Sequence, residues 1–473
     1  MAARGNGRRW FAVCVAAGCL AASTVGSGAA AEGRAAVVPG DDWVVDDPAA
    51  HGMDAGVLEG ARDYAFADGR NTQGVVVVHD GAIVGEWYAP GATSDSWATS
   101  WSVAKSFTSA LVGVALDEGL IPSIDVPMTN YYPEWAGTPR EAITLRHVLH
   151  MESGLDWDES YDPADIASSE IISMVGFQLD QLAFAASRPA EVAPGTSFNY
   201  SSGDTMLLSG VIEQATGRSV EEYAQEELLD PIGIDPLDWW RDAEGHTLTY
   251  CCVDTTSRDF ARFGLLYLRG GDWDGEQVVP AAWVQSSVTD TSASYSGYGY
   301  QWWLDAGGGG IPPYFSARGH DGQFIYVIPS LDLVVVRNGT YVKSECPPIA
   351  DPNLIGYLPS DGLVPNEGTI GPDSWSDEQF LGPVVESLTG SPVDGSGAAA
   401  HPGDPAALAA GPGPSASADA VDPAACPNVA QPPVDSTTTT VAVEATSTTT
   451  STTTPPRPTP AATPVSATPR LTG

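Results

Sequence analysis

The chain of 473 residues carries 20 Lys and Arg against 60 Asp and Glu, a formal net charge of −40. That balance excludes nucleic acid and anionic membrane surfaces as partners, because both require clustered cations. Hydrophobic residues make up 43%, enough at this length for one large catalytic domain or two smaller ones with a substantial core, and the acidity reads as solubility outside the cell.

Residues 1–31 read as an export signal. Arg4, Arg8 and Arg9 precede a short apolar run, Trp10 to Ala22, and Ala29-Ala30-Ala31 offers a small-residue cleavage site. Arg8-Arg9-Trp10-Phe11 resembles a twin-arginine signal, whereas Ala17-Gly18-Cys19 fits a lipoprotein box poorly. The run is too short to span a bilayer. A secreted or envelope-associated protein with no membrane insertion is therefore expected.

From about residue 50 a globular domain begins. Residues 53–67 have helical spacing, with Leu58, Ala61 and Ala65 on one side. Val75 to Val78 and Ile83 to Tyr88, joined by His79-Asp80-Gly81, read as a β-hairpin. Ser100 to Leu120 follows, with Phe107, Leu111, Val114 and Ala115 at amphipathic-helix spacing and Gly119 as its cap. Ser102 and Lys105 lie near its start, three residues apart and so on one face. A serine needs a base to become a nucleophile, and a lysine serves as one only where its pKa is lowered. By itself Ser-x-x-Lys is a common accident. But Lys105 and Lys343 are the only lysines in the chain, so a lysine here suggests work that arginine, which keeps its proton, cannot do.

Ile143 to Ser153 is expected to be helical, stopped by Gly154, and so are Asp204–Gln214, Val220–Leu229, residues 255–269 and Val278–Ser287. The loop Pro194 to Ser202 carries Tyr200. Strands are expected at Tyr298–Leu304, Phe315–Arg318, Gln323–Ile328 and Leu333–Arg337. Strands at both ends with helices between imply one sheet built from both ends of the domain and a helical insertion across it. Arg258 and Asp259 read as a structural ion pair. Of the cysteines beyond the signal, Cys251, Cys252, Cys346 and Cys426 match no zinc spacing; a bridge from the adjacent pair to Cys346 and buried free thiols are equally compatible with the spacing. No histidine–carboxylate cluster at ligand spacing occurs, so no metal or other cofactor is expected. Residues 388–473, rich in Gly, Ala, Pro, Ser and Thr, read as a disordered tail.

Six short stretches, in order, carry a resemblance: SVAKS at 102–106, ITLRHVLHMESGL at 143–155, NYSS at 199–202, RDFARFG at 258–264, YGYQWW at 298–303 and GHDGQ at 319–323. Across residues 50–387 the chain resembles the serine β-lactamase-like hydrolases related to class C β-lactamases, which include D-Ala-D-Ala carboxypeptidases, esterases and 6-aminohexanoate-dimer hydrolases. The resemblance implies an α/β fold of the α+β type, an antiparallel sheet flanked by helices beside a mostly helical second domain. It implies Ser102 as acylated nucleophile, Lys105 and Tyr200 as the general base pair, and the N–H groups of Ser102 and Gln323 as the oxyanion hole. Ser202, His320 and Gly322 would contact a small-molecule or peptide-like substrate. Two positions depart from the family pattern: Ser202 replaces the asparagine of Tyr-x-Asn, and His320-Asp321-Gly322 replaces Lys-Thr-Gly. Both favour an amidase or esterase over a D-Ala-D-Ala carboxypeptidase or weak β-lactamase, and they leave open a binding module without turnover.

Overall fold

The computed structural model describes residues 37–161, 168–235, 237–292, 294–340 and 375–394. The export-signal reading, Lys343, Cys346, Cys426 and the tail from residue 395 lie outside the described residues. Six antiparallel strands form the main sheet: β1 Thr72–His79, β2 Ala82–Tyr88, β3 Trp303–Asp305, β4 Tyr314–Gly319, β5 Gln323–Ile328 and β6 Leu333–Gly339. Their spatial order is β2-β1-β6-β5-β4-β3, so the two ends of the domain meet at β1 and β6 as expected. Asp80 (φ 50°) and Gly81 (φ 77°) supply two successive left-handed residues, which is what a two-residue hairpin turn requires.

Both faces of this sheet are covered, which explains its runs of consecutive apolar residues. Val76, Val78, Ile325, Val327, Val334 and Val336 pack into one core. The alternate residues Val75, Val77, Phe324, Tyr326, Leu333 and Val335 pack into another, against α1 (Ala55–Ala65) and a C-terminal helix, Asp377–Thr389. That last helix was not expected from the sequence. It is capped by Ser376, whose side chain accepts from Gln379 N–H, and runs past the boundary read at residue 387.

The larger core contains the helical part of the chain, through which α2 (Ala104–Asp117) passes. Every residue of α2 from Ala104 to Ala115 is buried. The amphipathic face read from the sequence is thus only part of a helix enclosed on all sides, as its Ala, Ser, Thr and Gly content permits. Helix α3 (Ser202–Thr216) crosses it, and α4 (Ser257–Leu268) lies against the sheet. The expected helix at Ile143–Ser153 shrinks to Leu145–Leu149, because Met151 (φ 59°) and Gly154 (φ 73°) turn the chain left-handed. Arg258 pairs with Glu86 on β2 at 2.6 Å, whereas Asp259 caps α4 by accepting from Thr256. The two are therefore not each other's partners. His51, His79 and Asp80 bring one ligand-type atom each within 4.8 Å at the hairpin turn, a grouping their sequence separation had hidden.

Gly264 lets α4 approach the sheet. A Cβ there would stand 2.6 Å from Val334 Cγ1 and 2.7 Å from Ile325 Cγ2, both on stiff β-branched side chains. Gly264→Ala is expected to lower stability by about 1–3 kcal/mol through overpacking, read as a lower urea midpoint with an unchanged slope.

Candidate active site

Ser102 sits on a single 3-10 turn, Trp101–Val103, directly before α2. The turn is strained, since Trp101 adopts φ 44°, a conformation that costs an aromatic residue about 1–3 kcal/mol. The neighbouring segment holds it there. Ser100 N–H donates to the Val253 carbonyl at 2.8 Å, Val253 N–H donates to Ser100 Oγ at 2.8 Å, and Cys252 N–H donates to the Trp101 carbonyl at 3.3 Å. Ser102 is left partly exposed, while Lys105, one turn on, is 1% exposed.

Lys105 Nζ lies 2.9 Å from Ser102 Oγ, 3.0 Å from Ser202 Oγ and 3.0 Å from the Tyr250 carbonyl oxygen. Burial pulls its pKa down to about 8, against the charge of Glu159, which pushes it up. A neutral amine has two N–H donors and one lone pair, and these three contacts decide where each points. The Tyr250 carbonyl can only accept. Ser202 Oγ donates its single proton to Glu159 Oε1 at 2.6 Å, so towards Lys105 it too can only accept. The lone pair is left facing Ser102 Oγ. This arrangement can remove the serine proton.

Glu159 was not singled out in the sequence. It is 5% exposed and its carboxylate accepts four hydrogen bonds, from Ser202 Oγ and N–H, from Trp157 Nε1 at 2.5 Å and from Tyr161 Oη at 3.1 Å. Trp157, Glu159 and Tyr161 recur at every second residue, and the first and last both donate to the carboxylate between them. That pattern was visible, but its placement against α3 was not. Ser202, expected to touch substrate, is instead fully buried between Lys105 and Glu159. Tyr200 lies where expected, beside the lysine: its ring centre is 5.0 Å from Lys105 Nζ, stacked on Trp303 at 5.4 Å and edge-on to Tyr298 at 6.1 Å.

The end of β4 forms the opposite wall. Gly319 is pressed so close to the Trp101–Val103 turn that a Cβ would stand 2.3 Å from the Ser100 carbonyl and 3.1 Å from Ser102 N. The Gln323 N–H expected in the oxyanion hole donates instead to the His320 carbonyl and closes the turn between β4 and β5. Trp303 pairs with Ser316 across β3 and β4, and Leu304 N–H points away to Gly297. Alternation along β4 therefore sends the amides of Arg318 and His320 to the edge that faces Ser102. Gly322 turns inward, and the buried Arg337 holds its carbonyl at 2.8 Å and that of Asp321 at 2.6 Å. His320 Nδ1 is 3.0 Å from Asp321 Oδ1. Burial lowers its pKa, but the Asp321 charge and hydrogen bond outweigh this and leave it raised. Its charge is thus partnered by Asp321, and Trp101 Nε1 also donates to that carboxylate, at 3.1 Å.

Residues 32–347 match the family described as Beta-lactamase. The chain belongs to the β-lactamase family. It is 30% identical over 286 residues, 56% of this chain and 72% of the relative, to the 6-aminohexanoate-dimer hydrolase of Paenarthrobacter ureafaciens. It is 26% identical over 298 residues, 53% and 74% of the two chains, to penicillin-binding protein 4 of Amycolatopsis lactamdurans. Among solved structures, EstCE1, a hydrolase with promiscuous acyltransferase activity, superposes with a TM-score of 0.50 at 16% identity over 60% of this chain and 93% of its own. This family comprises serine hydrolases of one fold, amidases, carboxypeptidases and esterases among them, and the protein is an enzyme of that kind. Within the family's frame, the buried Lys105–Ser202–Glu159 chain is what the geometry adds.

Ser202→Ala removes the acceptor that orients Lys105 and takes from Glu159 one of its four hydrogen bonds, the backbone bond from residue 202 remaining. Its rate of Ser102 modification by a fluorophosphonate is expected to fall by roughly a hundredfold or more, with Ser202→Thr recovering part of it. Equal rates in wild type and Ser202→Ala would show that Ser202 does not orient the lysine.

Proposed function

We propose that the protein is an exported hydrolase that cleaves amide or ester bonds in small or peptide-like substrates through an acyl-enzyme on Ser102. The observation that carries this reading is the contact set of Lys105, whose lone pair is aimed at Ser102 Oγ by two neighbours that can only accept. Lys105 takes the serine proton as Oγ attacks the carbonyl carbon. The N–H groups of Ser102 and His320 stabilise the oxyanion at the junction of the nucleophile turn and the β4 edge. The proton passes by way of Tyr200 to the departing amine or alcohol, and water then releases the acyl group with the same base. Export is supported by the arginines and small-residue site of residues 1–31 and by a disulfide between Cys251 and Cys252, which persists in oxidising compartments.

The 6-aminohexanoate-dimer hydrolase relative supports a linear amide as substrate. The pairing of His320 with Asp321 supports the same choice, because it leaves no unpartnered cation at that position to hold a substrate carboxylate. The penicillin-binding relative favours a second reading, a peptidase acylated by β-lactams.

Intact-mass measurement after fluorophosphonate treatment is expected to show one adduct that disappears in Ser102→Ala. A stable penicillin adduct on the same residue would move the assignment to the peptidase reading, and absence of both adducts would leave a binding module. The rate of acylation is expected to rise with pH through a midpoint near 8, because Lys105 acts only when deprotonated and burial holds its pKa there. Below that midpoint the rate should drop about tenfold per pH unit. A flat profile between pH 6 and 9 would exclude Lys105 as the base.

A further inference from the structure

The segment hydrogen-bonded to the Ser102 turn carries a covalent bond with no assigned role. Cys251 and Cys252 form a disulfide between adjacent residues, 3% and 0% exposed, with Cys252 at φ 74°. Neither the bridge to Cys346 nor the free thiols compatible with the sequence is what the structure holds. The residue before the pair, Tyr250, supplies the carbonyl that accepts from Lys105 Nζ at 3.0 Å. Within the pair, Cys252 N–H donates to the carbonyl of the strained Trp101 at 3.3 Å, and the Cys251 carbonyl accepts from Trp239 Nε1 at 3.0 Å. The next residue, Val253, exchanges two hydrogen bonds with Ser100.

We propose that the Cys251–Cys252 disulfide is a positioning element of the hydrolytic site, fixing the turn that holds the Tyr250 carbonyl on Lys105 and the Cys252 amide on Trp101. A bond between adjacent residues removes most of the freedom of the peptide that joins them, so the carbonyl before it and the amide within it move as one piece. Ordinary hydrogen bonding would hold each of these groups separately and weakly. With the bond intact, one N–H of Lys105 is committed to Tyr250 and the lone pair stays on Ser102. With the bond broken, the carbonyl is free to turn away, and the lone pair is no longer directed. The inference rests on the reading of Lys105 as base, but it also makes a claim about the lysine itself that does not need turnover.

The test uses the whole protein in three forms: wild type treated with a water-soluble phosphine, Cys251→Ala, and Cys252→Gly, which suits the left-handed position but cannot bond. The phosphine takes oxygen from water to become its oxide while the disulfide becomes two thiols, and alkylation with peptide mass analysis confirms that Cys251 and Cys252 have both become reactive. Isotope-labelled lysine gives only two side-chain signals, from Lys105 and Lys343, so the Lys105 titration can be followed directly by NMR. Loss of the carbonyl removes a charge-assisted hydrogen bond from the ammonium and a weaker one from the amine, so the midpoint is expected to fall below that of wild type. The fluorophosphonate rate on Ser102 should fall by roughly a hundredfold while the thermal midpoint stays within a few degrees. A Lys105 midpoint unchanged in the broken forms overturns the inference, as does a wild type whose two cysteines alkylate without reductant. A wild type that takes up no fluorophosphonate while its Lys105 midpoint still responds to the bond refutes the hydrolase reading alone.

Discussion

A primary amine buried beside two obligate acceptors has one direction left for its lone pair. That constraint organises the interior of this molecule. Lys105 is enclosed by a helix with no solvent face, so its pKa falls to about 8 and its neutral form is accessible. The Tyr250 carbonyl and Ser202 Oγ then fix its hydrogens, and Ser202 is an acceptor only because Glu159 holds its proton. A single carboxylate is thus linked to Ser102 through two intervening side chains. It also holds the lysine's charged form in reserve, since its charge works against the desolvation that lowers the pKa. The balance leaves Lys105 at about 8, within the range where a lysine can serve as a general base.

The sheet plays the complementary part. Its two buried faces make it rigid, and its end at Gly319 is brought against the backbone of Ser102 where no side chain would fit. Rigid placement matters because an oxyanion hole works through preorganisation, and a displacement of an ångström is costly. The turn after Gly319 is secured from below by Arg337, whose guanidinium binds two of its carbonyls. His320 therefore presents its amide and its partnered imidazole from a fixed frame. Where the family pattern has Lys-Thr-Gly, this chain has His320-Asp321-Gly322, with the histidine tied to the aspartate at 3.0 Å.

Much of this was legible in the sequence. Hairpin, central helix and the late run of strands follow from period, turn residues and length, and the shortage of lysine pointed to Lys105 before any fold was known. The misses have a common physical origin. Ser202 and Gln323 were placed by motif position, but a motif does not say whether a hydroxyl is buried between two charges or an amide is spent on closing a turn. Glu159 stands 54 residues after Lys105 in a polar stretch with ordinary composition, and only tertiary packing brings it to Ser202. The adjacent cysteines were seen, yet connectivity depends on a left-handed residue at Cys252 that no local pattern announces.

The most direct measurement is the pre-steady-state acylation rate of Lys105→Arg against wild type. Arginine keeps the positive charge and can reach the same acceptors, but it has no lone pair to offer at any working pH. Acylation is expected to drop by about a thousandfold at every pH from 6 to 10. A rate within tenfold of wild type would contradict the account, for it would mean that charge alone, and not a directed lone pair, activates Ser102.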